Sequence, residues 1–493
     1  MKTCKLLLPG TLALFAVQMI AAGSVYAVPA FSRANKVECT TCHTIAPELN
    51  EYGEAFLKNS YVYVGKANKT VKKNAPAPAP VAAPLISTGD SPNVMGEGDA
   101  SKLSKLKAGA LSANAASQAT ESAPAVSEEE ADDQKPEGLV LAGIPELLPI
   151  SFTGSINYAT GDHNSKVSTG GTNVDFAARS FKLHAAGNFS EKIGFFATYV
   201  AYSEQPPTGD FNTSVISSNN KSDLNEFFVQ WRNALDTPIN LKFGRFQPKL
   251  GLWKTNNKLS VTNSYLPYSY TVGAESVFRV EQPQDALELN AIIAKRFFLA
   301  AGLVNRKGQD NKEGYGHLSY KFGGSDYKGN EPEVDLDKEE SIFDFLSLTV
   351  GTYGYYGKNG PNLAGSNRNI FGRAGIDTEL QYKIFRLRML GGWGIDDNAA
   401  PSSTSFWPTV LSKSATIEGE FTLLTNLITA ARFEYLQEVG NIPTAFSNMY
   451  LRRYIATLAY APLENFKVST EFKYEIGQTD INRIGTLGAT FSF

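Results

Sequence analysis

The feature of this sequence that most limits its possible folds is the alternation of apolar and polar residues from about residue 148 to residue 493. In the stretch 466–477, aromatic and aliphatic residues alternate with lysine, serine and glutamate, so one face is apolar and the other is charged. A period of two is typical of a β-strand, whose successive side chains point to opposite faces. Sixteen such segments recur, at 151–160, 176–188, 194–203, 223–234, 239–247, 286–294, 297–305, 315–323, 345–357, 367–380, 385–395, 414–423, 429–438, 449–461, 466–477 and 481–493.

The lengths of the segments and of their connections favour a transmembrane barrel over a soluble β-sandwich. Transmembrane strands need about 9–11 residues, with lipid-facing and lumen-facing residues alternating. Connections after even-numbered segments are mostly short and those after odd-numbered segments mostly long, which is the rhythm of periplasmic turns and extracellular loops. We therefore expect a mainly β protein, with an outer-membrane β-barrel of about sixteen transmembrane strands at 148–493 that contacts the membrane lipid.

The residues before the barrel divide into three predicted regions. Residues 1–27 have two lysines, an apolar run and a Val-Tyr-Ala end, which predicts a secretory signal peptide. Residues 28–72 form a small module, and residues 73–147, rich in Ala, Pro, Ser and Glu, are predicted to be a disordered linker. The net charge of −3 provides no basic footprint for a nucleic-acid partner.

The small module contains the two cysteines that remain after removal of the signal peptide. Cys39 and Cys42 lie in a C-x-x-C-H motif that ends at His43. This is the attachment signature of c-type haem, in which both thiols form thioethers with the haem vinyl groups and the histidine ligates the iron. The alternatives are a redox-active disulfide or a chance match. Export, spacing and the use of both cysteines in one motif predict one covalent haem c, held by Cys39, Cys42 and His43.

The residues that follow the motif predict a short helix over the haem. The stretch 46–48, Ala-Pro-Glu, is typical of a helix start, and Leu49, Tyr52 and Phe56 then recur at helical spacing. A module of this size cannot build a self-sufficient core. We therefore expect it to rely on the haem and on docking to a larger partner.

The module offers no second axial ligand for the haem iron. It contains no other histidine and no methionine, so the ligand must come from elsewhere or the site stays open. His184 and His317 lie on the polar phase of their predicted strands and should face the lumen, whereas Met389 should face lipid. His184 and His317 are therefore the candidates for a second ligand, with an ordinary polar lumen residue as the alternative interpretation of each.

Residues 28–63 also carry a family resemblance. They read VPAFSRANKVECTTCHTIAPELNEYGEAFLKNSYVY. The Pro-Ala-Phe near the predicted mature start, the C-x-x-C-H motif, and Pro47 with Leu49 and Tyr52-Gly53 make this stretch similar to the N-terminus of the fused monohaem cytochrome–porins, whose best-known members are iron oxidases. The run 32–36 departs from that family, and the linker is longer than it would imply. The module could therefore plug the barrel or hang in the periplasm.

The resemblance implies a function in electron transfer. It implies that extracellular Fe(II) is the electron donor and that a periplasmic c-type cytochrome is the acceptor, which is iron:cytochrome c oxidoreductase-type chemistry. A sixteen-stranded barrel encloses an aqueous lumen, and a haem inside it could be reached from both sides of the insulating membrane. The alternatives are outward electron transfer to extracellular metal oxides, or a diffusion porin with a tethered haem module.

The connection 324–344 is a candidate docking site for the periplasmic partner. It follows an even-numbered segment, yet it is long and rich in acidic residues. A cluster of carboxylates could steer a basic cytochrome towards the barrel, and the alternative is a solvated run of charge. The candidate docking residues are Asp335, Asp337, Glu339 and Glu340.

Overall fold

The structure, a computed structural model, describes the region of the C-x-x-C-H motif and most of the predicted barrel. The described residues are 37, 39–59, 150–165, 169–190, 192–203, 223–253, 259–261, 265–272, 276–305, 312–330, 342, 345–359, 368–399, 409–440, 450–478 and 480–492. The predicted signal peptide and the linker at 73–147 lie outside them. All the described residues belong to one of the chain's two compact units, which comprises 1–64 and 137–493.

The described part of the chain forms one helix of eight residues and twenty strands. Two short strands and the helix precede the barrel: β1 (His43–Ile45), β2 (Glu48–Leu49) and α1 (Glu51–Lys58). The remaining strands are β3 (Ile150–Ser165), β4 (Thr169–Ser190), β5 (Ile193–Ser203), β6 (Asp223–Trp231), β7 (Ile239–Phe246), β8 (Ser269–Val272), β9 (Ser276–Arg279), β10 (Gln284–Ile293), β11 (Phe297–Asn305), β12 (Lys312–Gly323), β13 (Leu346–Asn359), β14 (Asn369–Tyr382), β15 (Phe385–Asp396), β16 (Val410–Leu424), β17 (Leu427–Gly440), β18 (Tyr450–Leu463), β19 (Phe466–Gly477) and β20 (Asp480–Ser492).

Sixteen of these strands close into a barrel. The barrel contains β3–β7 and β10–β20, and each strand pairs with its neighbours in antiparallel fashion. Closure joins β20 to β3, with Asp480 opposite Ser165, and β10 pairs directly with β7 across the chain that carries β8 and β9. Each of the sixteen predicted segments overlaps one barrel strand, so the predicted fold class is confirmed.

The barrel is polar inside and apolar outside. On β19 the lumen-facing Lys467, Glu471 and Lys473 are buried, whereas Phe472 between them is 53% exposed on the outer face. Met389 is also exposed on the outer face, as predicted. This inversion of the pattern of soluble proteins is what a lipid environment requires, because the outer face contacts acyl chains.

The described helix is short. Within the ranges given above, no helix is long and apolar enough to cross a membrane.

The connection between β7 and β10 folds into the lumen. This inward segment, the described residues within 247–283, contains β8, β9 and three buried tyrosines, Tyr265, Tyr268 and Tyr270. The amide of Leu252 donates to Asp377 of β14 at 2.6 Å, and the hydroxyl of Tyr265 donates to Glu418 of β16 at 2.7 Å. From the sequence, this stretch is one of the long connections that follow odd-numbered segments. Its tyrosines and its apolar run near 265–272 were the signal that it is buried.

Candidate functional site

The C-x-x-C-H motif forms a tight turn at the start of the described chain. Cys39–Thr41 is a 3-10 turn, and the amide of Cys42 donates to the carbonyl oxygen of Cys39 at 3.1 Å. Cys39 is buried, Cys42 is half-buried, and neither forms a disulfide. Burial raises the pKa of the Cys42 thiol to about 11, so the thiol is uncharged at neutral pH. One turn separates the two thiols along the chain, which suits two attachments to a single porphyrin.

The ring of His43 is held through its Nδ1 atom. Its Nδ1 lies 3.2 Å from the carbonyl oxygen of Glu48. A ring that donates from Nδ1 to a carbonyl carries its lone pair on Nε2, the atom that would ligate iron. Burial also lowers the pKa of His43, which favours the neutral, metal-binding form. The geometry of this side chain therefore fits its predicted role.

Asn50 fastens the helix to the motif turn. Its side-chain oxygen accepts from the amide of Gly53 at 2.9 Å, which makes Asn50 the N-cap of α1. Its side-chain amide donates to the carbonyls of Thr40 and Thr41, at 3.0 and 3.2 Å, and its own amide donates to Cys42. The prediction of a helix start at 46–48 is wrong. The helix begins at Glu51 because Asn50 supplies the cap and 48–49 pair with β1.

Gly53 allows α1 to touch the motif. A Cβ atom at this position would lie 2.1 Å from the carbonyl oxygen of Cys42 and 2.9 Å from a methyl carbon of Leu49. No larger residue fits there without displacing the helix or the turn. The Tyr-Gly pair within the family resemblance thus has a steric reason in this chain.

Residues 39–59, here called the plug, are ion-paired to the barrel wall. The carboxylate of Glu48 is fully buried and lies 2.7 Å from Nη1 of Arg388 and 3.0 Å from Nη1 of Arg386, both on β15. Burial opposes ionisation of Glu48, but Arg388 and Arg386 outweigh it and keep the pKa of this carboxyl below its usual range. Glu51 pairs with Lys321 of β12 at 2.9 Å. Two strands of the same side of the wall, β12 and β15, therefore hold the plug.

The plug lies at the short-turn end of the barrel. The amide of Cys39 donates to Glu464, in the turn between β18 and β19, at 3.2 Å. At the other end of the plug, the side-chain amide of Asn59 donates to the carbonyl of Tyr327, in the connection after β12, at 2.9 Å. In outer-membrane barrels the short turns face the periplasm. Of the two arrangements left open by the sequence, the described residues adopt the plug.

Apolar side chains surround the motif inside the lumen. Ile45 packs in a buried cluster with Leu259 of the inward segment and with Ile428, Ala430 and Ala459 of the wall. Phe56 of α1 belongs to the main apolar cluster, which includes residues of the inward segment. A c-type haem needs two free thiols, a histidine held beside them and apolar neighbours, and Cys39, Cys42, His43 and this cluster fit that need.

The two candidate second ligands lie on the lumen face, as predicted, but they bind other partners. Nε2 of His317 lies 3.1 Å from a carboxylate oxygen of Asp377, and its Nδ1 is buried without a hydrogen-bond partner among the described residues. Nδ1 of His184 lies 3.0 Å from the hydroxyl of Thr198. The hydrogen bonds and the ring contact described for these two histidines are with the wall residues Asp377, Thr198 and Phe196. A role for either histidine as second ligand stays a prediction.

The remaining candidate residues are not tested by the geometry. Asp335, Asp337, Glu339 and Glu340 lie outside the described residues. Over the ranges that are described, no three histidine, cysteine or acidic side chains form a group that could hold a metal ion.

Comparison with known proteins bears on the fold alone. No protein-family model and no curated protein sequence matches this chain. Similar solved structures include OmpT, an outer membrane protein of Vibrio cholerae (10% identity, TM-score 0.44, covering 70% of this chain and 97% of that chain). An anion-selective porin from Comamonas acidovorans has 7% identity and a TM-score of 0.48 over 70% of this chain and 99% of that one. The closed sixteen-strand barrel, with its apolar exterior and polar lumen, is that of a porin-like protein of the bacterial outer membrane.

Proposed function

We propose that this protein is an electron conduit of the outer membrane, with one c-type haem attached to the plug. The observation that carries the proposal is the position of the C-x-x-C-H turn inside the barrel, where Glu48 is ion-paired to the wall. The hydrocarbon core of the membrane is an insulator about 30 Å thick. A redox group can serve both sides only if a sheath keeps lipid away from it, and the barrel is such a sheath.

Each part of the chain has a task in this proposal. Cys39 and Cys42 hold the haem through thioether bonds, and His43 ligates its iron. When bound, the haem supplies one-electron redox chemistry. The plug and the inward segment occupy the lumen and restrict the passage of water and ions, while the apolar outer face of the strands contacts lipid.

The partners follow from the family resemblance and from the position of the plug. By the resemblance, the donor is extracellular Fe(II) and the acceptor is a periplasmic c-type cytochrome. The contacts of Cys39 with Glu464 and of Asn59 with Tyr327 put the plug beside the short turns. A periplasmic protein could therefore approach it closely. Electron flow outward, to a metal oxide, uses the same arrangement in reverse.

The direct test is reduction of the haem by Fe(II) in the purified protein. The absorption spectrum of the oxidised protein should change to that of a reduced c-type haem when Fe(II) is added. The matched control is the double variant Cys39→Ser/Cys42→Ser, which keeps the barrel and loses the attachment. Absence of covalent haem from protein matured with a haem-attachment system would disprove the proposal.

The competing function is a diffusion porin, which the size of the barrel favours. A sixteen-stranded barrel with an open lumen conducts ions freely. The lumen of this barrel contains the plug and a buried inward segment, which favours poor conduction. Single-channel recording in a planar bilayer separates the two functions, because a conduit should conduct far less than an open porin of equal strand number.

A further inference from the structure

We infer that two arginines of the barrel wall, Arg386 and Arg388, position the axial histidine through Glu48 and thereby tune the redox potential of the haem. The inference rests on the proposed function to the extent that a haem is attached at 39–43. The redox potential of the haem then depends on both the plug and the barrel. The module without the barrel would therefore have a different redox potential.

Glu48 links the wall to His43 because its main chain and its side chain have different partners. Its main-chain carbonyl oxygen lies 3.2 Å from Nδ1 of His43. Its side-chain carboxylate lies 2.7 Å from Arg388 and 3.0 Å from Arg386. Arg386 also donates from Nη2 to the carbonyl of Leu49 at 3.4 Å. The backbone that holds the ring is therefore itself held by the guanidinium groups of β15.

The arginines are fixed in turn by other buried groups. Nε of Arg388 lies 2.9 Å from Glu379, and its Nη1 lies 2.9 Å from Glu420. The guanidinium of Arg388 also lies over the ring of Trp253 in the inward segment, 5.6 Å from its centroid. Planar guanidinium groups keep such multi-point geometry, and a lysine cannot replace it. The position of Glu48 is thus determined by the fold of the barrel.

A hydrogen bond to Nδ1 matters because it changes the donor strength of the ligand. A carbonyl acceptor at Nδ1 makes the imidazole a stronger base at Nε2 and fixes the orientation of the ring. A more basic ligand favours the oxidised iron, and second-shell hydrogen bonds are among the means by which proteins set haem potentials. Loosening Glu48 should therefore raise the midpoint potential.

The test uses substitutions that keep every charge. Arg388→Lys and Arg386→Lys retain the positive charge but lose the planar guanidinium group with its several N–H donors. Glu48→Asp retains the negative charge but shortens the side chain. In the haem-loaded barrel we expect each variant to raise the midpoint potential in a redox titration. We also expect each to broaden the electron paramagnetic resonance spectrum of the oxidised protein, because the ring is less well oriented.

Arg373→Lys is the matched control. Arg373 is also a buried lumen arginine, 2.7 Å from Asp396, but it lies towards the long-loop end of β14. The Arg373→Lys substitution should leave both the midpoint potential and the electron paramagnetic resonance spectrum unchanged. Folding of each variant is checked by heat-modifiable electrophoretic mobility, and a variant that fails this check is replaced by Glu48→Asp, which leaves the wall intact.

The two proposals fail in different ways. If the three variants carry covalent haem but keep the potential and spectrum of the parent protein, the positioning role is wrong and the conduit stands. If the parent protein itself carries no covalent haem, the proposed function is wrong, whatever the arginines do.

Discussion

At the scale of single residues, the site depends on side chains that serve two purposes. Asn50 caps α1 and binds three carbonyls of the motif turn, and Glu48 joins His43 to the wall. The sequence could predict Cys39, Cys42 and His43, because their spacing alone carries the chemistry. It could not predict the role of Glu48, because its partner Arg386 on β15 is 338 residues away in the chain.

Gly53→Ala should loosen the plug. The new methyl group would lie 2.1 Å from the carbonyl oxygen of Cys42, so the helix must move away from the motif. Overpacking of this kind typically costs about 1–3 kcal/mol. We expect less covalent haem per barrel and faster proteolysis within the plug. Gly354→Ala is the control, because a Cβ atom there has no neighbour within 4 Å, and it should match the parent protein.

Glu48→Ala should weaken the docking of the plug far more than loss of an exposed ion pair would. The substitution removes the buried carboxylate through which the plug pairs with Arg386 and Arg388, and those arginines keep their partners on the wall, such as Glu420. Loss of a hydrogen bond to a charged group typically costs about 1.5–3 kcal/mol. The expected readout is a higher single-channel conductance. Asp236→Ala, which breaks a solvent-exposed pair with Lys192 at a short turn, should leave the conductance unchanged. Equal conductance in both variants would argue against an electrostatic anchor.

At the scale of elements, the strands could be predicted and the path of the connections could not. A strand that faces lipid and lumen alternates in sequence, so each of the sixteen segments could be found from its own residues. The inward segment turns into the lumen because of contacts with distant strands, such as that of Leu252 with Asp377. Such contacts have no local pattern, and the buried tyrosines were only an indirect sign.

Asp377→Ala should release part of the inward segment. Asp377 accepts from the amide of Leu252 at 2.6 Å and lies 3.1 Å from His317, so the substitution leaves two buried groups without their partner. We expect larger conductance fluctuations in single-channel records. Thr378 is on the same strand but on the outer face, so Thr378→Ala is the control. Its single-channel records should match those of the parent protein. If the conductance of Asp377→Ala fluctuates no more than that of the control, the contact of Asp377 with Leu252 does not hold the inward segment.

At the scale of the whole molecule, the structure joins a small module to a barrel that is large enough to enclose it. The barrel and the outer-membrane location could both be predicted from the sequence. The choice between plug and tether could not, because the linker length was compatible with both. The ion pairs of Glu48 with β15 and of Glu51 with β12 answer that question for residues 39–59.

The plug should be released in strong acid. Burial opposes ionisation of Glu51, but Lys321 outweighs it and lowers the pKa of this carboxyl from its usual value of 4.5. A carboxyl with a lowered pKa stabilises the docked state above about pH 4.5 and loses that effect as the pH falls through the lower, folded-state value. Conductance should therefore stay low at neutral and mildly acidic pH and rise only in stronger acid. In the Glu51→Gln variant the conductance should begin to rise at a higher pH. An unchanged onset pH would contradict the role of Glu51 in holding the plug.

Transfer of electrons across a sealed bilayer tests the central claim most directly. Vesicles that contain the protein are loaded with an oxidised soluble c-type cytochrome, and Fe(II) is added outside. We predict reduction of the enclosed cytochrome with the haem-loaded protein and little reduction with Cys39→Ser/Cys42→Ser. Equal reduction with both proteins would indicate an open pore that admits Fe(II), and no reduction by the haem-loaded protein would contradict the conduit.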